Sequence, residues 1–161
     1  MAGLSLDTPS LRLVLESTEA VLARIDAMPA PDRAEVSPEW IARIRNAPAP
    51  SPWTHGFAMV ERMTGADVGS CAFKGPPDAE GIVEIAYGVS EAYRGRGYAK
   101  ESAVALVGYA FTEGSASVVR AHTKPDNEAS ARVLVAAGFE KLGEVIDPED
   151  GLVWRWELRD R

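Results

Sequence analysis

Apolar residues recur along this chain with two periods, two and three-to-four, and the switches between them mark out its elements. Leu11 to Leu15 reads as a first strand, and Thr18 to Ala27 as a short helix. His55 to Arg62 and Val68 to Lys74 are strand-like runs joined by a turn through Thr64-Gly65-Ala66-Asp67, and Ile82 to Ser90 is a third. Ala99, Ala103, Leu106, Val107 and Ala110 then fall on one helical stripe. A strand from Ser117 to Thr123 follows, with Pro125 as a breaker and a short helix from Asn127 to Ala137. Gly138 closes that helix, in the position where glycine is favoured. The last arm, after a turn around Asp147 to Gly151, sets Leu152, Trp154, Trp156 and Leu158 against Val153, Arg155, Glu157 and Arg159. This alternation predicts a sheet with one packed and one wetter face. The sum is a mixed α+β architecture.

Between Pro29 and Pro52 lie six of the eleven prolines, with a helical patch at Glu39 to Asn46. Proline restricts itself and the residue before it, so a broken helix–loop–helix is expected. It either wraps a site or covers the sheet. Length bounds the rest: 161 residues fit one domain spanning 1–161, with no need of a disulfide or metal. The lone cysteine, Cys71, has no pairing partner, and His55 and His122 show no ligand spacing. No metal site is expected. Cys71, in an apolar strand, reads as a small core residue.

Charge narrows the partners. Seventeen basic against 24 acidic residues give a net charge of −7, which opposes non-specific nucleic-acid binding and suits a cationic ligand. No basic leader precedes an apolar run, and Ala103 to Phe111 is too short to span a bilayer. These features imply a cytoplasmic chain without membrane or nucleic-acid partners. Monomer and homodimer both stay open.

One segment reverses the local charge. Tyr87-Gly88-Val89-Ser90-Glu91-Ala92-Tyr93-Arg94-Gly95-Arg96-Gly97-Tyr98-Ala99 runs from a strand through a basic, glycine-containing turn into a helix. Helix N-termini carry unpaired N–H groups and partial positive charge, and so suit phosphates. Gly95 and Gly97 let the backbone approach an anion, while Arg94, Arg96 and Lys100 add charge. A Walker loop is missing, and Lys100 stands where a dinucleotide fingerprint needs its third glycine. The pattern that remains is [QR]-x-x-G-x-[GA], from Arg94 to Ala99.

This segment resembles the acetyl-CoA loop of the GNAT N-acetyltransferase superfamily. Asn127-Glu128-Ala129-Ser130, ending in Gly138-Phe139, resembles that family's second signature. More narrowly, Glu84-Ile85-Ala86-Tyr87, Gly97 to Glu101 and Asn127-x-x-Ser130 look like the Rim-type branch, which acetylates protein N-terminal amines, with relatives acting on small amines and antibiotics. The resemblance implies a mostly antiparallel sheet with two splayed strands, flanked by helices, and acetyl-CoA as acyl donor. Backbone groups of Tyr87, Gly88 and Val89 would then pair with the pantetheine arm. The turn from Arg94 through Gly95, Arg96, Gly97 and Tyr98 to Ala99 would hold the pyrophosphate, and Asn127 would contact the pantetheine side.

Transfer to an amine needs a base, because ammonium groups have pKa values of about 8 to 10.4. Glu84 is the first candidate, since alternation turns it away from Val83, Ile85 and Tyr87. Solvated strand carboxylate is the other reading. Glu101, in the first turn of a helix, and Glu149, in the final hairpin, are the further candidates. Many family members carry a tyrosine seven positions after the asparagine as acid; this chain has Leu134. The Rim-type likeness suggests Ser130 instead, either as acid or only as a helix-cap partner. A non-catalytic acyl-CoA-binding sensor or interaction domain is the alternative function.

Overall fold

The computed structural model describes residues 3–34, 36–148 and 150–160. Glu149, the third base candidate, lies outside them. The described chain forms eight strands and five α-helices. The N-terminal strands are β1 (Ser5–Asp7), β2 (Leu11–Leu15), β3 (Phe57–Glu61), β4 (Asp67–Phe73) and β5 (Ile82–Val89). After them come β6 (Val118–Thr123), β7 (Glu140–Asp147) and β8 (Gly151–Arg159). The helices are α1 (Thr18–Asp26), α2 (Ala30–Ala34), α3 (Pro38–Asn46), α4 (Tyr98–Thr112) and α5 (Glu128–Ala136).

The sheet order is β1-β2-β3-β4-β5-β6-β8-β7. Every neighbouring pair is antiparallel except β5 and β6. That parallel pairing covers only Ile82↔Val118, Val83↔Val119 and Glu84↔Arg120. Past Glu84 the strands part, although β5 continues to Val89 and β6 to Thr123. The expected mixed, mostly antiparallel sheet with two splayed strands is what the chain forms.

α4 lies across β2, β4, β5 and β6 and closes the core. Its stripe of Ala103, Leu106, Val107 and Ala110 is buried, as the periodicity predicts, whereas Ala99 borders a cleft. Leu134 of α5 is fully buried in the same core, with Phe57, Phe73 and Leu106. The proline-rich region packs with α1 in a second, smaller cluster. There Ile44, Trp40 and Ile41 of α3 pack on Val21 and Ile25 of α1.

Strands β4 and β5 approach closely because Gly69 faces Val89. A Cβ at Gly69 would stand 2.3 Å from the Gly88 carbonyl oxygen, and backbone cannot step aside cheaply. Gly69→Ala is therefore expected to cost about 1–3 kcal/mol, the usual range for overpacking. Denaturant titration of the purified variant checks this.

The clean two-faced alternation expected for β8 needs correction. Val153 and Glu157, on the face read as wetter, are 2% and 7% exposed, while Leu152 on the other is 46% exposed. β8 is an interior strand, paired with β6 on one side and β7 on the other. Arg120 makes burial of Glu157 tolerable, its Nη2 lying 2.7 Å from the carboxylate. Leu152 sits at the hairpin tip, outside the core cluster. Trp156 is buried and donates from Nε1 to Thr123 Oγ1 at 3.0 Å, whereas Trp154 is half-buried with Lys141 Nζ 3.3 Å above its ring.

Candidate functional site

Parting of β5 from β6 sets up the site. Lys74 N–H donates to Glu84 C=O and Ser90 N–H to Val68 C=O, so even-numbered residues of β5 turn their peptide groups toward β4. By alternation, Tyr87 and Val89 turn theirs toward the gap that β6 vacates. Gly88 instead pairs with Ser70, and its missing side chain leaves that stretch of wall low. The Arg94 Nε–H donates to the Val89 carbonyl at 3.1 Å.

The gap opens into a cleft of 580 Å³ between β5, the glycine turn and α5. Gly95 and Gly97 have φ of +82° and +83°, the left-handed region that favours glycine, and a Cβ at either would meet nothing within 4 Å. The turn is therefore shaped by backbone geometry and left bare toward the cleft. Gly97 is the N-cap of the 15-residue α4. Gly97, Tyr98, Ala99 and Lys100, which open this helix, all line the cleft, and the first N–H groups of a helix have no partner within it. Arg94, Lys100 and Arg132 bring three cations to the lining.

Two of the turn's side chains support it from behind. The Tyr98 hydroxyl donates to the Glu61 carboxylate on β3, and Arg96 Nη1 lies 3.6 Å from the same group. Arg96 also covers the Tyr93 ring, its Cζ 5.2 Å from the ring centre. Hydrogen bonds from Thr64 and Tyr98 hold the Glu61 carboxyl below the usual range, with Arg96 adding to the effect. The Arg96 side chain thus braces the turn and lies outside the cleft lining.

Across the cleft, Asn127 is the N-cap of α5, its Oδ1 accepting from Ser130 N–H at 3.1 Å. Ser130 is thus a cap partner through its backbone, which leaves its hydroxyl for something else. That hydroxyl lies 2.9 Å from the Tyr87 phenol, and both groups line the cleft. Burial pushes the Tyr87 phenol above its ordinary pKa, with the Ser130 contact opposing.

Glu84 occupies the last paired register, on the opposite face of the sheet from Tyr87 and outside the cleft lining. Its Oε2 is 3.2 Å from Lys74 Nζ and 3.0 Å from His122 Nδ1, the latter not aligned as a linear hydrogen bond. Arg155 Nε–H donates to His122 Nε2 at 3.1 Å. Burial raises the Glu84 pKa, but His122 and Lys74 outweigh it and hold the carboxyl below the ordinary range. It is ionised at neutral pH. Glu101 is committed elsewhere: its Oε1 accepts from the Thr8 hydroxyl at 2.6 Å and from Ser10 N–H at 2.9 Å. These bonds tie the first turn of α4 to the β1–β2 turn.

Cys71 is 2% exposed, and burial pushes its thiol up to about 12. A buried thiol held in its protonated form is a poor nucleophile. On the far side, the start of α3 (Ser37, Pro38, Glu39) meets Lys124 and Asp150 around a second cavity of 490 Å³. The proline-rich region and the final hairpin thus share a surface. Among the described residues no group of three or more metal-ligating side chains occurs, and no helix is long and apolar enough to cross a membrane.

Sequence reading missed Arg132 and the side chain of Tyr87. Arg132 was findable, since Ala129, Val133 and Ala136 share its face of α5 at helical spacing. The Tyr87–Ser130 contact joins residues 43 positions apart and has no local signal.

A bare turn at a helix N-terminus, three cationic residues and a split sheet meet at one cleft. Residues 4–140 match the acetyltransferase (GNAT) domain family, and the chain belongs to that family. It is similar to the uncharacterized N-acetyltransferase YjdG of Bacillus subtilis (strain 168), 30% identical over 106 residues, or 64% of this chain and 60% of that one. The uncharacterized N-acetyltransferase p20 of Bacillus licheniformis is 29% identical over 93 residues, or 58% of this chain and 52% of its own. The chain thus spans between 52% and 60% of these relatives' length. Among solved structures, a GNAT-family acetyltransferase from Bacillus anthracis superposes with a TM-score of 0.74 at 19% identity, covering 97% of this chain and 98% of that one. RimL, a ribosomal L7/L12 alpha-N-protein acetyltransferase in complex with coenzyme A, gives 0.73 at 15% identity, covering 97% and 98%.

Proposed function

We propose that this protein transfers the acetyl group of acetyl-CoA to a primary amine by direct attack in a ternary complex. The observation that carries this reading is the parting of β5 from β6 immediately beyond Glu84, next to the exposed N-terminus of α4. The turn from Gly95 to Ala99 binds the pyrophosphate through backbone N–H groups, with Arg94, Lys100 and Arg132 around it. Tyr87 and Val89 pair with the pantetheine amides in place of the missing strand, and Asn127 borders the same arm. An N–H of this stretch, that of Tyr87, also stabilises charge on the thioester oxygen.

Glu84 faces the acceptor side. A carboxylate held in its ionised form attracts an ammonium, and takes a proton as the new C–N bond makes that nitrogen acidic. Ser130 stands on the donor side, where the thiolate departs. The inert Cys71 favours direct transfer over an acyl-enzyme. The acceptor is a protein N-terminal amine or a small cationic amine, in keeping with a net charge of −7 and with the Rim-type motifs.

The test is thiol release from acetyl-CoA in the presence of an amine panel: an alanine-initiated peptide, spermidine and lysine. Amine-dependent release with any of them is expected. Tight acetyl-CoA binding without release for any amine would instead mark a non-catalytic acyl-CoA sensor.

A further inference from the structure

We propose that Tyr87 is the terminal proton donor to the departing thiolate, acting through the Ser130 hydroxyl; this rests on the transferase reading above. Four residues that carry a hydroxyl line the cleft: Tyr87, Tyr93, Tyr98 and Ser130. Tyr98 is committed to Glu61, and Tyr93 lies beneath Arg96 on the outer turn. Only Tyr87 and Ser130 meet each other, at 2.9 Å, where β5 and α5 face across the cleft.

The positions of the two residues give the pair a direction. Tyr87 belongs to the strand whose backbone turns toward the gap, and its ring packs against the main core. Its hydroxyl is held against Ser130, 2.9 Å from the serine hydroxyl and 3.4 Å from the Ser130 carbonyl oxygen. Ser130 is fixed in turn by the Asn127 cap on its own N–H. Leu134, one helical turn further on, is fully buried and has no proton to offer.

The proton balance closes. The amine nitrogen bonds to the carbonyl carbon, and its surplus proton passes to Glu84 and on to water. When the C–S bond breaks, its electron pair stays on sulfur. Sulfur takes the proton of the Ser130 hydroxyl, which takes that of the Tyr87 phenol. The phenolate recovers a proton from solvent in the open cleft. Burial keeps the phenol protonated at neutral pH, the form the relay requires.

The experiment compares wild type, Tyr87→Phe, Ser130→Ala and the double variant in thiol release with the amine panel, with acetyl-CoA thermal shifts on each. Tyr87→Phe should lower kcat about 100-fold, at the low end for general-acid catalysis because a thiol leaves readily. Its acetyl-CoA shift should stay unchanged. The double variant should be no slower than Tyr87→Phe alone, since both substitutions break one chain. Placing 3,5-difluorotyrosine at position 87, a more acidic phenol, should move the basic limb of the rate profile to lower pH. A structural role would change stability without moving that limb.

Wild-type turnover with Tyr87→Phe within twofold of it, or a basic limb unmoved by fluorination, would overturn the relay while leaving the transferase reading intact. Wild type that binds acetyl-CoA and acetylates no amine would overturn both.

Discussion

Gly97→Asp is expected to raise the Kd for acetyl-CoA about 100-fold, while Gly97→Asn raises it only a few-fold. Position 97 has φ of +83° and open space where a Cβ would stand, so strain rather than collision limits replacement. Asn and Asp enter the left-handed region more readily than other residues, and so both variants should fold. They differ in charge. Aspartate sets a carboxylate among the N–H groups that would receive a pyrophosphate, and like charges so placed cost several kcal/mol, roughly a factor of 100 or more in affinity. Isothermal titration of both variants separates the two effects. Equal weakening would mean that the turn acts by shape and that no phosphate sits there.

The second large effect concerns the base. Glu84→Gln is expected to lower kcat at pH 7 by about 10²–10⁴-fold, the range for general acid–base groups. The difference from wild type should shrink as pH rises through the pKa of the acceptor, about 8 for an α-amine and 10.4 for a lysine-like one. Because His122 and Lys74 hold the Glu84 carboxyl below 4.5, its own titration lies in acid. A rise in wild-type rate above pH 6 therefore does not come from titration of Glu84 itself. The linkage has the same sign for stability: the contacts that Glu84 makes with His122 and Lys74 contribute fully above about 4.5 and are lost as pH falls through the lower folded value. A rate–pH profile unchanged by the substitution would remove Glu84 from the base role.

Strands with a long alternating or apolar pattern were readable within one or two residues: β5 was expected at Ile82–Ser90 and runs Ile82–Val89. β1 was not, because three residues with no buried side chain carry no period; pairing with β2 creates it. α2 was hidden likewise, a five-residue helix in a proline-rich stretch with nothing buried. For the site, the glycine turn and the start of α5 at Asn127 were legible because their signals are local. What Glu84 touches was not, since Lys74 and His122 come from other strands and only the sheet register brings them to it. Glu101 shows the same limit, as its partners Thr8 and Ser10 lie more than ninety residues away.

The most direct test of acyl-CoA binding at the split sheet is a thermal shift with acetyl-CoA, with NADH and ATP as controls. Ligand at about 100 times its Kd adds roughly 2.7 kcal/mol of stability. At this chain length each kcal/mol moves the midpoint by about 2–4 °C, so a rise of several degrees is predicted. That rise should come with acetyl-CoA and not with NADH or ATP. A folded protein whose midpoint stays fixed at saturating acetyl-CoA would contradict the assignment of the cleft, and with it every role given to Glu84, Tyr87 and Ser130.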